Sequence, residues 1–251
     1  MDTSPWLIGT PALIAAAAGV TAFGAAYPRA QLFGNTICRT NAARKLAITF
    51  DDGPNPAITP KLLDLLDQHK ARASFFLIGG FAKECPELAR EIVARGHEVG
   101  NHTDTHENLF WRSPEQIRNE LLRCSETIAE LLGKNPEWFR PPYGFRNPWV
   151  VPVARRLGMK TVMWTLIPGD WREKPAEWLI RRMEPIAKRR EKSQSAEAGT
   201  GDVLCLHDGG HRGLNADRTR TLAALEYWLP RWSELGLEFV TISEAVSAAA
   251  L

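Results

Sequence analysis

Cysteine is scarce in this chain and shows no pattern. The four that occur, Cys38, Cys85, Cys124 and Cys205, stand far apart with no Cys-x-x-Cys spacing. That excludes a disulfide framework and a cysteine-built zinc cluster. An excess of either charge is also missing, since 31 basic residues face 29 acidic ones for a net charge of +2. Nucleic-acid binding, which calls for a basic surplus or stripe, is therefore not expected. No internal repeat is visible, so solenoids and propellers drop out. What remains is ordinary globular composition, 44% hydrophobic and 24% charged, which excludes disorder. A chain of 251 residues can form one α/β barrel without a second domain.

No charged side chain occurs from Trp6 to Tyr27. At ~1.5 Å of rise per residue a helix of that length reaches across a hydrocarbon core of ~30 Å. The segment reads as a membrane anchor; a cleavable signal peptide is the competing reading, with small residues at Gly24 and Ala26 but no basic stretch ahead of the apolar run. Residues 1–44 are accordingly taken as anchor and linker, and 45–251 as the catalytic domain. Arg29, Arg39, Arg44 and Lys45 all follow the span, which by the positive-inside rule alone puts the domain in the cytoplasm.

After Lys45, short apolar runs alternate with amphipathic ones. Strands are expected at 46–50, 73–78, 98–100, 138–139, 161–164, 203–206 and 239–241. Helices are expected at 59–69, 81–95, 114–132, 148–157, 176–190 and 218–235, and the polar stretch 188–201 reads as a surface loop. This alternation predicts a parallel sheet.

Polar clusters fall at the ends of these strands, where parallel α/β folds place their sites. Asp51 and Asp52 would face opposite sides of a regular strand, but Gly53 and Pro54 break it at once and allow both into one cavity. His102 and His106 stand four apart, a spacing that in a helical turn puts both imidazoles on one face. With Asp52 they offer two nitrogens and one carboxylate, a three-ligand set that leaves room for water. Arg140, before Pro141, Pro142 and Tyr143, can grip a carboxylate by a bidentate fork. Asp170-Trp171 and His207-Asp208 close two further strands. His211 reads as loop, and His69 and His97 as helix-end and strand-start positions with no assigned role.

In these five strings, 49–54, 102–106, 140–144, 170–171 and 206–209, the chain resembles the polysaccharide deacetylases, which share the NodB homology domain of carbohydrate esterase family 4. The resemblance runs from about Lys45 to Val246. It implies a distorted seven-stranded (β/α) barrel, here preceded by the hydrophobic helix. It implies a divalent metal, usually zinc, on Asp52, His102 and His106, and hydrolysis of an N-acetyl or related acyl group on an amino sugar. The roles carried over are Asp51 as base toward the metal's water, Arg140 orienting it, the Tyr143 amide at the oxyanion, His207 as acid and Asp170 holding His207. Trp171 and Leu206 become walls near the acyl methyl, and Cys205 replaces the leucine usual in that pocket. Ile167 stands where many members carry another acid.

The implied partner is an acylated glycan: peptidoglycan, a chitin-like chain, an acetylated xylan or a lipid-linked sugar. Resemblance to cell-wall enzymes favours an extracytoplasmic catalytic domain, against the charge rule. Two other classes compete. Two histidines and a carboxylate also make the facial triad of a non-haem iron oxygenase, but that chemistry uses neither an adjacent base nor an acid at His207. A carbohydrate-binding module without turnover would need none of the five groups.

Overall fold

The computed structural model of the chain describes residues 6–192 and 199–247, with side chains from residue 15 onward. Its strands are β1 (Thr36–Ile37), β2 (Lys45–Gly53), β3 (Ala73–Leu77), β4 (Glu98–Asn101), β5 (Trp138–Phe139), β6 (Lys160–Val162), β7 (Asp202–His207) and β8 (Glu238–Phe239). They form one sheet in the order β1-β6-β5-β4-β3-β2-β7, with β8 beside the start of β2. Every ladder is parallel. Because helices cover it, β2 is buried at all but its first residue and reads as a continuous apolar run rather than an alternating one. Phe50, Phe75, Leu62, Leu66, Leu225 and Trp232 fill the space between sheet and helices.

Seven strands follow one path, as expected for a distorted barrel. Among the described residues, the two ends meet through single bridges, Arg39 to Asp202 and Leu166 to Leu204, and not through a full ladder. One strand was not foreseen. β1 lies within the segment expected to be a linker, and Thr40 N–H donates to Gly201 while Asn41 N–H donates to Ala245. Strand β1 and these bonds join the segment ahead of Lys45 to the sheet. Two residues are too few to show a period, which is why the sequence hides them.

The helix expected at 81–95 is two helices, Gly79–Glu84 and Pro86–Ala94. Pro86 has no N–H to continue the first and starts the second, as proline does. The helix Ala176–Lys192 runs beyond the expected loop start at Lys188, tied by Arg189 Nε to Asp202 Oδ2 at 2.9 Å. The remainder of that expected loop, through residue 198, lies outside the described residues. The helix Pro114–Leu132 starts and stops as read, with a Ser113–Gln116 capping box and Gly133 left-handed at its end.

A helix covers Trp6–Ala26. Among the described residues, no helix is long and apolar enough to cross a membrane, so the expected membrane span finds no support. Nor is the segment after it a free tether. Ala25 and Ala30 are buried. The buried Arg146 guanidinium donates to the carbonyls of Tyr27, at 2.6 Å, and Ala30, at 3.3 Å, while its backbone N–H donates to Ala25. An arginine at a helix C-terminus satisfies carbonyls the helix itself cannot.

His97 illustrates how the core constrains charge. Its Nδ1 accepts from Ala73 N–H at 3.2 Å and its ring meets Phe75 edge-on. Burial pushes its pKa from 6.5 down to about 4. The neutral form is the folded form, so this contribution is complete above the unfolded pKa and lost as pH falls from about 6.5 to 4. We expect His97→Gln, compared by urea unfolding at pH 7 and pH 4.5, to flatten an acid-side loss of up to about 3 kcal/mol. An unchanged pH slope would refute this.

Candidate active site

Strand β2 delivers two carboxylates to one place by breaking its own regularity. The ladder with β3 shifts between Asp51 and Gly53, and Asp52 is left-handed at φ 68°. That bulge turns Asp52 toward the side Asp51 already faces. Asp51 pairs with His207 across the β2–β7 register, and Thr49 with Cys205. Gly209, after β7, passes so close to the Asp52 carbonyl that a Cβ there would overlap it.

His102 and His106 come together as expected, though not on a helix. Thr103 (φ 65°) and His106 (φ 60°) are both left-handed, so the segment is a tight turn. Asn101 Oδ1 accepts from Thr103 N–H at 2.8 Å and Thr103 Oγ1 from His106 N–H at 3.0 Å, and these bonds fix its shape. Asp52 Oδ1 lies 3.3 Å from His102 Nε2 and 3.0 Å from His106 Nε2. These are close to the ~3.3 Å edges of a tetrahedral zinc site with ligand bonds of ~2.0–2.1 Å. The oxygen is buried, yet accepts no well-directed hydrogen bond. His102 Nδ1 donates to the Arg140 carbonyl at 2.8 Å, which leaves Nε2 as the ligating atom. Burial alone would raise the Asp52 carboxyl, but His102, His106 and the charge of His207 hold it well below the usual carboxylate range. Burial lowers His106, keeping it neutral. An ionised carboxylate and two neutral imidazoles with an orphaned buried oxygen fit a divalent cation.

Arg140 is fully buried and holds Asp51 by one bond, not by the expected fork. Its Nη1 donates to Asp51 Oδ1 and to Thr49 Oγ1, each at 2.7 Å. Nη2 and Nε go instead to the carbonyls of Met163 and Val162 at the end of β6. The guanidinium also lies 4.2 Å from the Phe76 ring centre. Asp170, buried, accepts from His207 Nδ1 and from its backbone N–H, both at 2.8 Å, and from Thr221 at 3.0 Å. Burial opposes charge on His207, but the carboxylates of Asp170, Asp52 and Asp51 outweigh it and raise the imidazole to about 9.

Asp51, Asp52, His102, His106 and His207 open into one cleft of about 970 Å³, at the upper end of ligand-site volumes. Tyr143, Phe145, Trp164, Ile167 and Trp171 form its apolar walls. Trp171 stands edge-on to His207, 5.1 Å between ring centres, and Tyr143 edge-on to His106 at 4.7 Å. Tyr143 is left-handed at φ 59°, a strained position of the kind that clusters at functional sites.

One expected wall is absent. Leu206 points to the opposite face of β7 and packs with Phe50 and Leu62 in the core, because alternate strand residues face opposite ways. Cys205, on the site face, sits behind Asp51 with Sγ 3.4 Å from Oδ2, not on the cleft surface. One residue was undervalued. His211 is in a loop, but its ring stacks on that of His106 at 4.7 Å. Its place two residues after Gly209 was the signal available.

The family profile described as polysaccharide deacetylase matches residues 39–162. A peptidoglycan-N-acetylglucosamine deacetylase of Bacillus cereus is 40% identical over 204 residues, which cover 81% of this chain and 89% of that protein. The chain belongs to the polysaccharide deacetylases. Another relative, a chitooligosaccharide deacetylase of a Bradyrhizobium strain, is 35% identical over 79% of this chain and 89% of its own length. Among solved structures, a carbohydrate esterase family 4 pseudoenzyme of Bacillus anthracis superposes with a TM-score of 0.72 and 27% identity, over 85% of this chain and 69% of that one. Carbohydrate deacetylation is the activity class of this polysaccharide deacetylase.

Proposed function

We propose that this deacetylase hydrolyses the N-acetyl group of N-acetylglucosamine units in a cell-wall or chitin-like glycan, with a divalent cation, zinc by its ligand set, at Asp52, His102 and His106. The observation behind this reading is the pairing of Asp51 with His207 on adjacent strands, directly beside the triad. A cation there supplies Lewis acidity and lowers the pKa of water toward ~7. Asp51 takes the water's proton, its Oδ1 held by Arg140 and its Oδ2 carrying only the weak bond from the Cys205 thiol. The amide of Tyr143, on the strained turn, is the donor assigned to the developing oxyanion. His207, charged below about pH 9, gives its Nε2 proton to the departing sugar amine. Asp170 keeps that nitrogen aimed by holding Nδ1. Trp171 bounds the acyl group. The Bacillus cereus and Bradyrhizobium relatives are named for the deacetylation of peptidoglycan N-acetylglucosamine and of chitooligosaccharide, and a cell-wall substrate favours a catalytic domain outside the cytoplasm. A reporter active only outside, fused after Leu251, tests that placement; silence there with a signal from a cytoplasmic reporter rejects it.

The decisive experiment offers the purified chain a panel of peptidoglycan, chitooligosaccharides, acetylated xylan and lipid-linked acetylamino sugars. Mass spectrometry should show acetyl replaced by hydrogen on a glucosamine unit. No change on any acetylated aminoglycan would reject the reading. The non-catalytic alternative has one observation in its favour, the likeness to a pseudoenzyme. Against it, this chain has candidates for base, cation triad and acid in one cleft.

Asp170→Asn tests the acid. Without the anion, the His207 pKa falls, so the alkaline limb of kcat/KM should move to lower pH by about 1–3 units. A limb that stays put would assign it to another group.

A further inference from the structure

Asp51 has two oxygens with different surroundings. Oδ1 is taken by Arg140, while Oδ2 faces Cys205 Sγ at 3.4 Å and His102 Nε2 at 3.9 Å. Two residues beyond Cys205 on the same face of β7 stands His207, whose Nδ1 is held by Asp170 and whose Nε2 is free. Asp51, Cys205 and His207 each bring a ligand atom within 4.8 Å of the other two, and none belongs to the Asp52–His102–His106 triad. We propose that these three residues form a second, inhibitory cation site just beneath the cleft floor, behind Asp51, selective for thiophilic ions such as cadmium.

The donor geometry fits. Bonds of zinc length, ~2.3 Å to sulfur and ~2.1 Å to oxygen, at a tetrahedral angle place S and O about 3.6 Å apart, against the 3.4 Å here, and the larger cadmium ion asks the pair to open a little further. A carboxylate behind a ligating imidazole is the usual supporting arrangement, and Asp170 provides it for His207. Asp51 and His207 line the cleft, so an ion has a route in. Arg140 Nη1, 3.6 Å from Sγ, sets the selectivity. Its charge repels any cation, which penalises hard ions held by electrostatics alone and spares soft ions whose sulfur bond is covalent. Coordination releases one proton from the Cys205 thiol and one from the His207 imidazolium to solvent, with no change of oxidation state. An ion so placed occupies Oδ2 of Asp51 and Nε2 of His207 together. The inhibition rests on the roles proposed above for those atoms, whereas the binding does not.

The test titrates the zinc-loaded native chain and Cys205→Ser with cadmium. It follows the ultraviolet thiolate-to-cadmium charge-transfer band and the cadmium retained on equilibrium dialysis. Cys38, Cys85 and Cys124 are present in both chains and cancel in the difference. The native chain should bind one more cadmium than the variant, with one thiolate's worth of band, and its deacetylation should fall with the same midpoint. His207→Gln, which keeps the thiol, should weaken that cadmium by at least the roughly 10–100-fold that loss of a supporting partner costs. Identical difference spectra for native and Cys205→Ser, with zinc content and circular dichroism intact in both, overturn the site. A chain that deacetylates glycan without the Cys205-dependent band sinks the second site alone. A band without deacetylation sinks only the reading of the reaction.

Discussion

Asp51→Asn is expected to keep its cation and to lose turnover by about 10²–10⁴-fold, the usual loss for a general base. The asparagine amide can still accept from Arg140 through oxygen, so the buried guanidinium is not left without a partner. That amide is far too weak a base to take a proton from water. The neighbouring variant behaves otherwise. Asp52→Asn removes the anion from the triad, so cation affinity falls and activity with it, and excess cation restores part of both. Excess cation does nothing for Asp51→Asn. Cation content by elemental analysis, alongside kcat on an acetylated chitooligosaccharide, separates the two. If Asp51→Asn loses the cation and Asp52→Asn keeps it, the two roles are reversed. If both stay active, neither carboxylate takes part in the reaction.

Exhaustive chelation is expected to bring deacetylation down to background and to lower the melting temperature as well. The triad brings a buried carboxylate oxygen with no hydrogen bond together with two imidazoles, and a cation satisfies all three at once. At a hundredfold excess of ion over its Kd, the bound ion stabilises the fold by about 3 kcal/mol. Adding zinc back should restore activity and melting temperature with a single midpoint. Full activity in a chain with no detectable metal would remove the cation from the mechanism.

Much of the fold was legible because buried parallel strands leave continuous apolar runs. β3, β4, β5, β6, β7 and β8 each lie within one or two residues of the expected bounds, while β2 runs three residues past its expected end at Phe50. The site was legible for a related reason, since its residues sit where those runs stop. What stayed hidden depends on backbone shape or on the third dimension. Left-handed Thr103 and His106 look in sequence like a helical i, i+4 pair, and only their φ angles show a turn. Leu206 and Cys205 differ by one position on one strand, and register decides which of them faces the site. Arg140 was expected to spend both arms on a carboxylate, but β6 offers two carbonyls that no linear reading brings near it. The stacking of His211 on His106 arises between loops more than a hundred residues apart.

The grip of Arg146 on Tyr27 and Ala30 bears on how the enzyme can be shortened. Cutting at Lys45, where the catalytic motifs begin, looks natural for a soluble preparation, yet it would remove β1 and both carbonyl acceptors of a buried guanidinium. That arginine follows Tyr143 by three residues, so the loss would be felt at the turn assigned to the oxyanion. A weak deacetylase obtained from such a fragment would report the missing N-terminal segment, and would say little about the competence of the catalytic groups.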